Sequence, residues 1–131
     1  MKRVLTATGV LLMIGAMIAP SSALAGRAAA VIDFTYISTD GKGNWDYGGG
    51  ISSSSSKCTS GRKITVYREA GDQDVKIGSD KAIVNFITPE PDDYVWGLQD
   101  ADGENGTYYA SAKKTKKCKK AVSNTQSYPE G

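Results

Sequence analysis

From residue 31 onward, apolar and polar positions alternate along short stretches, and no segment after residue 25 carries an apolar stripe at 3.6-residue spacing over three turns. Ile64 and Val66 share a face, with Arg62 and Arg68 at the ends of that row. Val75 and Ile77 alternate with Asp74 and Lys76. Tyr94, Trp96 and Leu98 form a third row, and Tyr108, Ala110 and Ala112 oppose Tyr109 and Ser111. Residues 31–37 and 83–87 are rich in β-branched and aromatic types, which fit a pleated surface, and 120–123 is a weaker seventh segment. Turn chemistry separates the segments at Asp40-Gly41, Gly48-Gly49-Gly50, Ala70-Gly71-Asp72, Pro89-Glu90-Pro91 and Asp102-Gly103. Short strands recurring every 8–12 residues or so predict an all-β domain of about seven strands, a sandwich or a barrel.

The first 25 residues read differently. Lys2-Arg3 precedes an apolar stretch over 4–19, and Ala23-Leu24-Ala25 supplies a small-x-small cleavage site. This pattern predicts a secretory signal peptide over 1–25, cut near Ala25, and a single secreted domain over 26–131. The apolar stretch is shorter than the ~20 residues of a membrane span, and no transmembrane segment is expected in the mature chain. Charge changes accordingly. The 131 residues hold 16 Lys+Arg and 14 Asp+Glu, and removing Lys2 and Arg3 brings the two signs into balance. Overall basicity therefore gives no argument for nucleic acid. The charge that remains is segregated, with ten acids between 69 and 104 and six lysines between 105 and 131.

Both cysteines, Cys58 and Cys118, follow the leader. In an exported chain they are expected to form one disulfide, because two cysteines with no CxxC and no histidine cannot make a four-ligand zinc site.

Residues 50–123 resemble a module of secreted bacterial proteins related to carboxypeptidase regulatory-like and transthyretin-like (prealbumin-like) β-sandwiches. The residues that carry the resemblance are Lys57-Cys58, then Gly61-Arg62-Lys63-Ile64-Thr65-Val66-Tyr67-Arg68, then Val75-Lys76-Ile77-Gly78-Ser79-Asp80. They continue at Gly106-Thr107-Tyr108-Tyr109-Ala110-Ser111-Ala112 and Cys118-Lys119-Lys120-Ala121-Val122-Ser123. The resemblance implies an Ig-like or prealbumin-like sandwich of seven to eight strands, without catalytic machinery, serving as a cell-surface or extracellular binding or structural module. The chain departs from the pattern at 83–93, where a Pro-broken stretch replaces the usual Asp-x-x-Gly-x-Trp link, and no functional residue is carried over.

Candidate chemistry is sparse. The sequence contains no histidine, which removes the commonest general base and metal ligand. Ser52 to Ser56 is a homopolymer, whereas a nucleophile needs one serine on a defined turn. Glu90, Asp92 and Asp93 sit in a Pro-broken loop rather than a cleft. No enzyme activity and no cofactor are expected. Asp100, Asp102 and Glu104 place oxygen ligands at alternate positions, as calcium prefers, but the stretch lacks a distal bidentate Glu and also reads as a hairpin turn. Asp40, Asn44 and Asp46 form a looser cluster of the same kind. Lys113, Lys114, Lys116, Lys117, Lys119 and Lys120 either hold a polyanion or guard a strand edge against pairing. No arginine or aromatic residue interleaves them, so sequence-specific nucleic-acid recognition is not expected. Tyr36, Trp45 and Tyr47, near a Gly-rich segment, are the candidates for a carbohydrate platform, with Trp96 assigned to the core. The expected partner is an extracellular ligand: cell-wall polymer, carbohydrate or protein. The alternative is a small secreted effector or inhibitor that docks on another protein through its loops.

Overall fold

Alternating side chains need a partner layer, and two sheets supply it to each other. The computed structural model describes residues 26–85, 87 and 93–130. In chain order its strands are β1 (Ala30–Thr39), β2 (Trp45–Ser53), β3 (Lys63–Arg68), β4 (Val75–Lys81) and β5 (Ile83–Val84). They continue with β6 (Tyr94–Ala101), β7 (Gly106–Ala112), β8 (Ala121–Val122) and β9 (Gln126–Tyr128). The chain is all-β. One sheet has the order β1-β2-β6-β5, and the other has β4-β3-β7-β8 with β9 also on β7. Residues 1–25, where a signal peptide is expected, and Phe86, the Pro89-Glu90-Pro91 turn and Asp92 lie outside the described residues.

The expected seven strands become nine among the described residues, because β2 and β9 escape the alternation rule. Gly48-Gly49-Gly50, read as a turn, instead lies inside β2, between β1 and β6. A side chain there has no room. A Cβ on Gly49 would stand 1.8 Å from the Asp33 carbonyl oxygen, and one on Gly48 would stand 2.4 Å from the Tyr36 ring. Close backbone approach is one of the few reasons for glycine in a strand interior. The β1–β2 register shifts between Phe34 and Tyr36, and Thr35, the extra residue, bonds the Gly48 carbonyl through Oγ1. Asp40-Gly41 does turn the chain as expected: Asp40 Oδ1 accepts from Lys42 N at 2.7 Å and from Asn44 N at 3.2 Å. Asn44 Nδ2 also donates to Asp40, and these donors hold its carboxyl below the ordinary range.

Ile32, Phe34, Trp45, Tyr47, Ile51, Trp96 and Leu98 from the first sheet meet Ile64, Val66, Tyr108 and Ala110 from the second. Phe34 packs edge-on against Trp96 with centroids 5.3 Å apart, and Tyr47 meets Tyr108 at 5.0 Å. The polar tips of these rings are satisfied: Tyr47 Oη donates to the Asp102 carbonyl at 2.8 Å, and Trp96 Nε1 to the Gly50 carbonyl at 3.1 Å. Each such ring, once buried, contributes on the order of 2–3 kcal/mol.

The two open sides of the sandwich close in different ways. On one, β4 passes through buried Ala82 into β5 and so leaves one sheet for the other. Asp80 Oδ2 accepts the Gly97 N–H at 3.1 Å at that corner. On the other side, Asn124 imitates a strand. Its Oδ1 accepts Phe34 N–H at 2.8 Å, and its Nδ2 donates to the Phe34 carbonyl at 3.0 Å. Gln126 Nε2 also donates to the Phe34 carbonyl, at 2.8 Å, so substituting Asn124→Ala removes the Asn124 acceptor of the Phe34 N–H but only one of two side-chain donors to its carbonyl, and is expected to cost about 1–2 kcal/mol in urea unfolding. A loss within error of zero would show that solvent replaces the amide.

Cys58 and Cys118 form the expected disulfide, with Cα atoms 5.6 Å apart. It joins the β2–β3 connection to the loop between β7 and β8. The chain before β1 reinforces the junction, with Ala28 N–H donating to the Lys117 carbonyl at 2.9 Å and Lys119 N–H to the Ala28 carbonyl at 2.8 Å.

Candidate functional site: a cationic face on the second sheet

Strand β3 sends Ile64 and Val66 into the core and leaves Lys63, Thr65 and Tyr67 for the outer face. Register then fixes their neighbours. Tyr67 lies opposite Lys76 of β4 and Tyr109 of β7, and Thr65 opposite Ser79 and Ser111. The Tyr67 and Tyr109 rings stack at 5.4 Å with planes 20° apart, and Thr65 and Ser79 share a hydroxyl hydrogen bond of 2.8 Å. Tyr109 Oη donates to Asp74, which pushes its pKa up to about 12, so the hydroxyl stays neutral at ordinary pH.

Two adjoining clefts open on this face. A cleft of about 520 Å³ is lined by Lys57, Arg62, Lys63, Lys76 and Lys113 along with Tyr67. A smaller one, about 320 Å³, is lined by Lys113, Lys114, Lys120 and the two tyrosines. Tyr67 and Lys113 border both, and no carboxylate lines either. None of these lysines is in an ion pair among the described residues, where Arg68 and Glu104 make the only salt bridge, at 3.3 Å.

Arg62 is the buried cation that shapes the clefts. Its guanidinium donates to the carbonyls of Lys119 at 2.8 Å, Lys113 at 3.0 Å and Cys58 at 3.4 Å. These bonds and the disulfide tie both ends of the lysine loop to the start of β3. Of the six lysines singled out in the sequence, Lys113, Lys114 and Lys120 line the clefts. Lys116, Lys117 and Lys119 are exposed on the loop and line neither. Lys117 sits below the ordinary lysine range because Lys57 lies beside it: only the neutral amine of Lys117 can accept from the Lys57 ammonium, and losing the proton also relieves the repulsion between like charges. Lys57, Lys63, Lys76 and the tyrosine pair were not visible as site residues in the sequence, because they arrive from separate strands. The one local signal was the polar side of β3's alternation.

The other candidates fare differently. Trp45 is 8% and Tyr47 0% exposed, so the expected platform of Tyr36, Trp45 and Tyr47 is not a surface feature. Both rings turn inward because the glycine run expected to form a turn continues β2, putting alternate residues in the core. Tyr36 alone remains outside, at 46% exposure. At the acidic turn, Glu104 pairs with Arg68, the Asp102 carbonyl accepts from Tyr47, and the Asp100 N–H donates to Asp46 at 3.0 Å. Among the described residues no group of three or more His, Cys, Asp or Glu is arranged to hold a metal. The Ser52 to Ser56 run spans the end of β2 and enters a short 3-10 turn, Ser56–Cys58, that delivers Cys58 to the core.

The fold and its clefts define a two-sheet β-sandwich with a lysine-rich outer face. Compared with protein-family models, curated proteins and solved structures, the chain matches none.

Proposed function

We propose that this chain is a secreted, non-catalytic β-sandwich module that binds an anionic cell-surface polymer across the outer face of β4, β3 and β7. One observation carries the reading: five cationic side chains line a single cleft from which carboxylates are missing. Unpaired cations gathered in a concave site raise the local concentration of anions, and their mutual repulsion is relieved when an anion arrives. Lysine suits a polymer of repeating charge because it binds phosphate, sulfate or carboxylate groups as a point charge without reading sequence. The anchored loop keeps Lys113 and Lys120 in place before a ligand arrives, so less ordering entropy is lost on binding. The pattern of residues 1–25, the disulfide and the likeness of residues 50–123 to secreted prealbumin-like modules support export. The absence of histidine from the sequence supports a non-catalytic role. Intact mass of the exported protein checks the first point, with a chain beginning at Gly26 as the expected result.

The binding test uses dextran sulfate as the polyanion and neutral dextran as its control. Wild-type protein is expected to bind the sulfated polymer alone, with affinity falling steeply as salt rises. The variant Lys63→Gln/Lys76→Gln/Lys113→Gln should bind at least about tenfold more weakly and with a shallower salt dependence. The loop variant Lys116→Gln/Lys117→Gln/Lys119→Gln should lose much less. If the loop variant loses as much as the cleft variant, charge number rather than the cleft governs binding and the reading fails.

A further inference from the structure

We propose that the opposite outer face, on the first sheet, holds a second binding site for a neutral pyranose sugar, centred on Tyr36. The inference is independent of the lysine face. It rests on a row of residues set by strand register: Tyr36 of β1 stands opposite Gly48 of β2, which stands opposite Gly97 of β6. With no side chains on the two glycines, the Tyr36 ring lies across the sheet. A Cβ on Gly48 would meet its Cε1 at 2.4 Å, and one on Gly97 would come within 3.5 Å of its hydroxyl. One side of the ring thus rests on the sheet while the residue stays 46% exposed.

Beside the ring is a trough of about 840 Å³. Its floor is backbone at Gly49, Gly50 and Gly97. The next row builds the far wall, since Gly50 stands opposite Val95, and Val95 opposite Ile83, which is 52% exposed. Thr35, Asp80 and Gln99 add polar groups to the lining. A sugar ring matches this division of labour, because its C–H face stacks on an aromatic ring while its hydroxyls reach polar groups at the edge. No cation lines the trough, Asp80 does, and Asp46 lies close enough to the Tyr36 hydroxyl to help burial raise its pKa. An anionic saccharide is therefore disfavoured here, the reverse of the lysine face. An added peptide strand is also disfavoured, since the trough lies on a sheet face and β-augmentation needs an open edge.

The test is a titration of isotope-labelled protein with cellotriose and, separately, with N,N′-diacetylchitobiose, read by amide chemical shifts. The expected result is saturable shifts at Gly49, Gly50 and Gly97 with one of the two sugars, at a Kd on the order of 1 mM, and none on β3 or β7. Tyr36→Phe should bind within about twofold of wild type, whereas Tyr36→Ala should weaken binding at least about tenfold. Gly50→Leu keeps the tyrosine and fills the trough from below, and it should weaken binding to the same extent. The cleft triple variant at Lys63, Lys76 and Lys113 should bind the sugar as wild type does. The proposal is overturned if neither sugar gives saturable shifts at these glycines, or if a folded Tyr36→Ala or Gly50→Leu variant retains wild-type affinity.

Discussion

Replacing Cys58 and Cys118 together by alanine is expected to lower the stability of the domain by about 4 kcal/mol, the largest loss predicted for any change in this chain. The bond closes a loop with a sequence separation of 60 residues, and the unfolded chain gains the entropy of that loop when it is removed. Against a total stability on the order of 5–15 kcal/mol, such a loss leaves a marginal fold. Both cysteines are buried, so the double alanine also leaves a small cavity beneath the lysine loop. The effect on binding should exceed the effect of stability alone. Released from Cys58, the loop is held by the β7–β8 pairing at Ala112 and Ala121, the Arg62 bonds and the Ala28 bridge, without its covalent tie, so Lys113 and Lys120 are fixed less firmly over the cleft. Thermal unfolding of the oxidised protein beside the double variant measures the first quantity, and dextran sulfate affinity at low temperature measures the second. A fall in midpoint of only a few degrees would mean that the reduced chain keeps the loop closed without the bond.

Gly49→Ala ranks second, with an expected loss of about 3 kcal/mol or more, although it adds a single methyl group. The added carbon would stand 1.8 Å from the Asp33 carbonyl oxygen and 3.1 Å from the Phe34 Cα, so β1 and β2 must part at the bulge. Both neighbours are backbone, and no side chain can swing away to make room. The next residue gives the contrast. A Cβ on Gly50 comes no nearer than 3.4 Å to the Tyr94 carbonyl oxygen, an ordinary contact, so Gly50→Ala should fall within about 1 kcal/mol of wild type. Paired urea titrations decide the matter. Equal losses at both positions would place the difficulty in β2's general propensity rather than in the approach of β1.

Much of the architecture was legible in the chain because strands write their faces into the sequence with a period of two. Ile64 and Val66, Trp96 and Leu98, and Tyr108 and Ala110 all turn inward as their spacing requires. The Asp40-Gly41 turn and the Cys58–Cys118 pair follow from local chemistry and from arithmetic. Strand β2 was not legible. Its three central residues carry no side chain, so alternation had nothing to act on, and the local rule that glycine punctuates structure pointed to a turn. The error then spread, because a turn at the glycines left Trp45 and Tyr47 in no predicted strand and free to be read as surface rings. Strand β9 was missed for a simpler reason: three residues, Gln126–Tyr128, are too few to show a period.

The lysine run announced itself, but its chemistry did not. As a stretch of sequence it was a charged loop with two readings. The proposal of a polyanion site draws on Lys57, Lys63 and Lys76, which come from before β3, from β3 and from β4 and share its cleft. The chain by itself determined an all-β fold with one covalent staple, since periodicity and cysteine number are properties of the string. The tertiary structure alone decided which glycines are crowded, which aromatic rings face water, and which cations share a cleft. Each of these depends on strand pairing between residues far apart in the chain, and register between distant strands is fixed by packing across the core.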